Sequence, residues 1–412
     1  MKSIKVSKAA LVGLLVLFLS GCTTISNWFA DDEEVEIRTL LPLQNQFEPQ
    51  VLWDKSIGDG TDEFFSSLRP AFDYGKVFAA DRAGRIYALD PDDGDRIWRQ
   101  DISERSKERR LTNLYGLFAG RIPAKVSGGL TVGYRSVFFG TENGEVVALN
   151  ESDGSVKWRT RVTGEVLAPP AIDEGIVIVN TVAGLLIAID AESGEIKWQN
   201  ENDVPPLSLR GISAPAAANG GAIVGTASGR LIVNLIDSGL TAWEQQIAKP
   251  TGATELDRIV DIDSTPLVFL GNIYAISYGG ALASVEIRTG QVVWNREYAS
   301  YRDLSLEGNR LFISDINSNL YAVDRRNGVE LWSNSALRRR ELTSAVPIRG
   351  YVAVGDKWGF LHFFNQSDGQ YVARVRIGGD DEDEGIFSSP IAFEDKLLVQ
   401  RKDGDLFLLE VP

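Results

Sequence analysis

The sequence predicts an all-β protein, an eight-bladed β-propeller closed by pairing of its N-terminal strand with its C-terminal blade. Three observations carry that reading. A glycine–tryptophan pattern recurs along the chain, with successive tryptophan slots 38 to 60 residues apart. Each copy reads as short β-branched or aromatic strands punctuated by turn residues, and no long stretch shows helical periodicity. The two ends of the chain hold complementary fragments of one copy.

Three copies are clear. Gly84-Arg85-Ile86-Tyr87-Ala88-Leu89-Asp90 leads to Gly94 and Trp98, Gly144 through Asn150 to Gly154 and Trp158, and Gly184 through Asp190 to Gly194 and Trp198. The tryptophan stands fourteen residues after the first glycine and four after the second. Weaker copies keep this register at Gly229/Gly239/Trp243, Gly280/Gly290/Trp294, Ser318/Gly328/Trp332 and Gly359/Gly369, where Ala373 takes the tryptophan slot. The first glycine closes one hairpin, the Ala-Leu-Asp element forms the next strand, and an Asx turn ending in glycine leads to the tryptophan strand. The small alanine is expected where a neighbouring blade's indole packs.

The last copy starts at Gly404 and reaches Leu408-Leu409-Glu410, whereas Val51-Leu52-Trp53 has no strand pair before it. Joining these fragments gives the eighth blade and leaves no open edge between the ends. A seven-bladed ring is the alternative if the degenerate Gly359 copy is no blade. Two connections are long, one around residues 101–127 with Arg105, Lys107, Arg109 and Arg110, the other around 250–264.

The amino terminus speaks to location. Lys2, Lys5 and Lys8 precede an apolar run from Ala9 to Leu19, about half the length that spans a bilayer. Residues 1–21 read as a signal peptide. Leu19-Ser20-Gly21-Cys22 resembles the bacterial lipobox, which makes Cys22, the only cysteine, the expected lipidation site. Residues 22–46, with Asp31-Asp32-Glu33-Glu34, read as a lipidated flexible tether, and residues 47–412 as the propeller. By the same resemblance Thr23 favours sorting to the outer membrane, with the protein facing the periplasm.

Composition excludes several functions. With 42 basic and 57 acidic side chains the formal net charge is −15, which argues against nucleic-acid binding. One cysteine and one histidine rule out a cysteine-rich zinc site, a disulfide within the chain and a multi-histidine metal site. His362 lies in the apolar run Phe360-Leu361-His362-Phe363-Phe364 and reads as a packed side chain. The Asp-rich turns recur at a hairpin position, which turn geometry explains better than Ca²⁺ binding. The basic run Arg338-Arg339-Arg340 and the acidic run Asp380–Glu384 are expected in solvated loops. The repeat resembles that of the pyrroloquinoline quinone dehydrogenases, which are eight-bladed. That resemblance concerns the blade framework, and the chain lacks the adjacent cysteines those enzymes set beside the quinone. No catalytic residue, metal or cofactor is expected.

Two connections share one address. Pro205-Pro206-Leu207-Ser208-Leu209-Arg210-Gly211 follows Trp198, and Asp257-Arg258-Ile259-Val260-Asp261-Ile262-Asp263 follows Trp243. Arg210 and Asp261 each stand five residues before a proline, Pro215 and Pro266, which places them on one face in consecutive blades. Leucines beside charge have the composition of an interaction hot spot. A second reading has the leucines capping the core while Arg210 pairs with Asp261 or Asp263.

The lipobox, acidic tether, Trp53 closing strand, eight repeats and both loop motifs together resemble the BamB family. These are the propeller lipoproteins of the outer-membrane β-barrel assembly machinery. The resemblance implies a non-enzymatic scaffold, a monomer within a hetero-complex. It would dock on the periplasmic POTRA domains of the central barrel subunit through Leu207, Leu209, Arg210, Asp261 and Asp263, aiding insertion of outer-membrane proteins. The alternative within the same machinery is direct binding of unfolded barrel substrates, by addition of a strand to an exposed blade edge.

Overall fold

Strands dominate because the chain alternates short apolar runs with turn residues too closely for helices to form. The computed structural model describes residues 39–61, 68–105, 121–209, 211–379 and 384–412, together with Ile37, Phe64 and Ser66. Residues 43–412 make up one unit, the propeller. Eight four-stranded antiparallel meanders succeed one another: blades 1 to 7 span 71–101, 126–161, 171–201, 216–246, 267–296, 305–334 and 346–376. Blade 8 takes three strands from 391–410 and its fourth from the N-terminal side, Gln50–Ser56, which pairs with Asp405–Glu410. The Gly359 copy is a complete blade, so the ring has eight. First strands of neighbouring blades lie against each other, including those of blades 8 and 1, which places them at the axis and closes the ring.

Within a blade, one row of side chains explains the recurring alanine. Phe78, Ala88 and Trp98 are consecutive cross-strand partners, as are Phe138, Ala148 and Trp158, and Phe312, Ala322 and Trp332. The alanine separates two aromatic rings of its own blade, whose centroids lie 5.8 to 6.1 Å apart. It does not receive the neighbour's indole, contrary to the expectation from sequence. That role belongs to the second glycine. At Gly94, Gly154, Gly194, Gly239, Gly290, Gly328 and Gly369 an added Cβ would come closer than 3.0 Å to the tryptophan of the preceding blade. Each of those indoles donates its N–H to a backbone carbonyl of the same turn, from Trp53 to Pro91 at 2.9 Å through Trp332 to Gln366 at 2.9 Å. The large apolar ring is covered and its one polar atom satisfied by the same neighbour.

Only the junction between blades 7 and 8 lacks this interlock. In blade 7 the row is inverted, Ala353-Phe363-Ala373. Blade 8 has no hairpin turn there, because its third and fourth strands come from opposite ends of the chain. Phe47 occupies the space, edge-on to Phe363 at 5.3 Å and against Tyr351 at 4.4 Å. Gln46 donates its amide to the Val372 carbonyl at 2.9 Å, and the Asn45 amide group bonds both backbone groups of Arg374. Asn45, Gln46 and Phe47 thus fasten the stretch before the closing strand to blade 7.

Two glycines of blade 3 separate the causes of turn stability. Gly175 and Gly194 share a φ of 76° and 74°, but a Cβ at Gly175 meets nothing within 4 Å. Gly175→Ala should cost about 1 kcal/mol from backbone strain alone. Gly194→Ala should cost about 2–4 kcal/mol, because the Trp158 ring must also shift. Equal losses in urea unfolding would refute the interlock. Phe47→Ala is expected to cost about 1–3 kcal/mol by opening the blade 7–8 junction.

Candidate functional site

In a four-stranded meander the connection to the next blade leaves on the same face as the turn between the second and third strands. The connections after blade 3 (residues 202–215) and after blade 4 (247–266) are therefore neighbours on one face. A charge-assisted bond fastens one to the other, in which the Leu209 amide donates to the Asp261 carboxylate at 2.6 Å. Asp261 is 1% exposed, and its second carboxylate oxygen is buried without a partner among the described residues. Its backbone carbonyl accepts the Tyr278 amide at 2.9 Å. Asp263 is half-buried, and its carboxylate packs on Gly211 so closely that a Cβ there would collide with it. No described donor reaches it.

Burial pushes the Asp261 carboxyl up to about 6, against the pull of the Leu209 amide. Burial, and then the Asp261 charge, pushes Asp263 up to about 7. The outcome for the expected residues is uneven. Leu207 is exposed and Leu209 half-buried, on a loop pinned by Asp261. Asp261 underlies the surface and does not present its carboxylate on it. Arg210 and Cys22 lie outside the described residues. The structure adds Val182, Val204 and Leu256, 40%, 47% and 70% exposed, around the same loops. No motif marks them. The only signal available in sequence is an apolar residue at a turn position that holds Arg82 or Glu142 in blades 1 and 2.

Asp263 also lines the mouth of the central channel, to which seven inter-blade connections and the first strand of blade 2 contribute. Arg69 and Asp303 pair across it at 3.3 Å, and Asp303 accepts the Thr265 amide at 2.7 Å. The Asx turns hold backbone amides with their carboxylates, as Asp190 does with Ser193 at 2.9 Å. His362 is fully buried, bonded to Asp356 at 2.9 Å and Tyr371 at 2.6 Å. Burial lowers its pKa, outweighing the Asp356 charge, so it stays neutral and inaccessible to any substrate. One expectation is corrected here. Arg340, read from sequence as solvated, is 1% exposed and ion-paired with Asp356 at 2.5 Å under the Trp358 ring. An arginine there needs a buried carboxylate, and Asp356 supplies it. Of the basic insertion, the described part is a short ribbon, Glu104–Arg105 paired with Arg121–Ile122. Lys107, Arg109, Arg110 and residues 380–383 lie outside the described residues.

These features define a propeller whose distinctive surface is a pinned, partly apolar loop pair on one face. Comparison with known proteins gives the family. The family model described as outer membrane protein assembly factor BamB matches residues 47–119 and 82–334. The chain is 51% identical to the protein of that name from Alteromonas naphthalenivorans, over 94% of this chain and 92% of that one. It is 40% identical to the one from Escherichia coli strain K12, over 97% and 98%. The crystal structure of BamB from Moraxella catarrhalis superposes with a TM-score of 0.75 at 25% identity, covering 88% of this chain and all of that one. A europium-containing methanol dehydrogenase superposes with a TM-score of 0.67 at 12% identity, over 90% of this chain and 95% of that one, a likeness of fold alone. The chain belongs to the BamB family.

The raised carboxyls carry a stability signature. Folded Asp263 holds a proton that the unfolded chain has released, so its contribution is fully present below about pH 4 and is lost as pH rises through about 7. Asp263→Asn should raise the thermal midpoint at pH 8, a gain on the order of 1 kcal/mol. The gain should shrink towards pH 5. Thermal unfolding of both proteins at the two pH values checks this, and a pH-independent difference would refute the assignment.

Proposed function

We propose that the chain is a non-enzymatic scaffold subunit of the outer-membrane β-barrel assembly complex. It docks on the POTRA domains of the central barrel subunit and aids insertion of outer-membrane proteins. Its relatives' shared name, outer membrane protein assembly factor, supports the setting. Cys22 would carry the lipid after removal of residues 1–21, and residues 22–46 would tether the ring at the periplasmic face of the outer membrane. The observation that carries the docking reading is the bond from Leu209 to Asp261, which fixes a loop presenting Leu207 to solvent. A pre-ordered apolar anchor loses little conformational freedom on binding. Leu207, Leu209, Arg210 and Asp263 would make contact, and Asp261 would act as a positioning residue.

Co-purification of the barrel subunit with the lipidated protein tests this. Leu207→Asp and Arg210→Glu should each abolish it without changing the thermal midpoint. Asp261→Ala should weaken it about tenfold or more by freeing the loop, while Asp261→Asn, which keeps an acceptor for the Leu209 amide, should restore most of it. Undiminished co-purification by the first two variants would refute the docking reading.

One observation favours a second reading, direct binding of unfolded substrate strands. The outer edge of blade 7 already accepts an extended segment, through Gln46 and Asn45. The outer strands of blades 5 and 6 expose Val293 and Leu331 beside their free edges. Crosslinks from those strands to nascent barrel proteins that persist in Arg210→Glu would establish this activity as separate from docking.

A further inference from the structure

Val182 and Val204, exposed apolar residues that the loop motifs did not anticipate, border a cleft between blades 3 and 4. Its walls include Val182, Val204, Leu209, Ile212 and Ala227. Val182 and Ala227 occupy the same position, two residues after the end of the second strand in consecutive blades, where the chain turns back. In blades 1, 2, 7 and 8 the equivalent residues are Arg82, Glu142, Lys357 and Lys402, all charged. Blades 5 and 6 hold Tyr278 and Ile316 there, so the position is uncharged through blades 3 to 6, and only in blades 3 and 4 does it border the loop carrying Leu207 and Leu209. A valine 40% exposed and another 47% exposed face each other's surroundings across a gap that none of the described residues fills. The acidic side chains of the cleft are Asp203 and Asp263, and no lysine, arginine or histidine stands among its described lining residues.

We propose that this cleft receives an apolar side chain of the docked barrel subunit, one with a cationic residue next to it. The inference rests on the docking reading above and deepens it by naming a second pocket and the chemistry of its occupant. Continuity selects a protein partner. Leu209 forms part of the cleft wall while its neighbour Leu207 points to the face, so one partner surface reaches both. An apolar side chain gains by leaving water for the walls of Val182, Val204 and Ile212. A cation beside it meets the Asp203 carboxylate at the rim, whereas an anion there would be repelled.

The test measures binding of the full-length lipoprotein to the detergent-solubilised barrel subunit, with thermal unfolding alongside. Both valines are exposed, so serine leaves the fold intact. The double variant Val182→Ser/Val204→Ser should bind about tenfold more weakly. Val204→Lys should weaken binding more than Val204→Glu, because only the lysine repels a cation. As a check that requires no loss of binding, a photo-crosslinking residue at position 204 should capture the barrel subunit, and one at the opposite-face residue Leu270 should not. Affinity within twofold for the double serine variant, while Arg210→Glu abolishes binding, would overturn the cleft and leave docking standing. Failure of Arg210→Glu and Leu207→Asp to weaken binding would overturn docking itself. A reversed order of Val204→Lys and Val204→Glu would overturn the cationic neighbour.

Discussion

The contact between an outer-strand indole and the turn of the next blade is the constraint on which the ring depends. A four-stranded meander buries neither of its faces alone, so each blade is stable only when its neighbours cover it. The tryptophan supplies the largest apolar surface available, and glycine at positive φ lets that ring lie directly on backbone. The indole N–H then finds a carbonyl, which every residue possesses. The accepting residues are accordingly unrelated: Pro91, Glu151, Ala191, Ile236, Ile287, Arg325 and Gln366. The interlock fixes glycine and tryptophan and leaves the residue between them free.

The same logic explains the one junction that breaks it. A tryptophan at position 373 would have no turn glycine to lie on, since blade 8 is assembled from both ends of the chain. The blade responds by moving its bulk inward, to Phe363, and Phe47 covers what remains. Closure is thus made twice by neighbouring stretches of sequence. Residues 50–56 complete the sheet through backbone pairing, and residues 45–47 complete the interface through packing.

Spacing made the blades legible, because the fourteen-residue interval between glycine and tryptophan follows directly from two strands and two turns. Spacing does not say which blade a side chain faces. That is why the alanine was assigned to the neighbouring indole, when it separates Phe78 from Trp98 in its own sheet. Arg340 was opaque for a related reason. Its carboxylate, Asp356, lies sixteen residues away across a strand pair, and a run of three arginines shows only its charge. The loop pair was legible because two prolines fix a common register for Arg210 and Asp261. The depth of each side chain was not, and Asp261 proved to lie beneath the loop. Val204 carries no pattern and Val182 only an apolar residue at a turn position that is charged in blades 1 and 2, since each becomes significant only when the two connections and a hairpin turn are brought together.

Asp261 and Asp263 show what the ring makes possible. Two neighbouring carboxylates this desolvated work against folding, and one oxygen of Asp261 is buried with no partner among the described residues. A loop built for stability would replace Asp263 with an amide or move it to solvent. The ring tolerates the pair because its cohesion comes from interlocks on the outer strands, far from this face, so loop composition is decoupled from the framework. The sectors are separate as well. The chain joins the ring along the outer strand of blade 7, three blades from the loop after blade 4, so a pull through Asn45 acts on the closure and not on the pinned loop. A ring held from one side can therefore present a pre-ordered surface on another, which the proposed scaffold, tethered to a membrane and docked on a partner at once, would require.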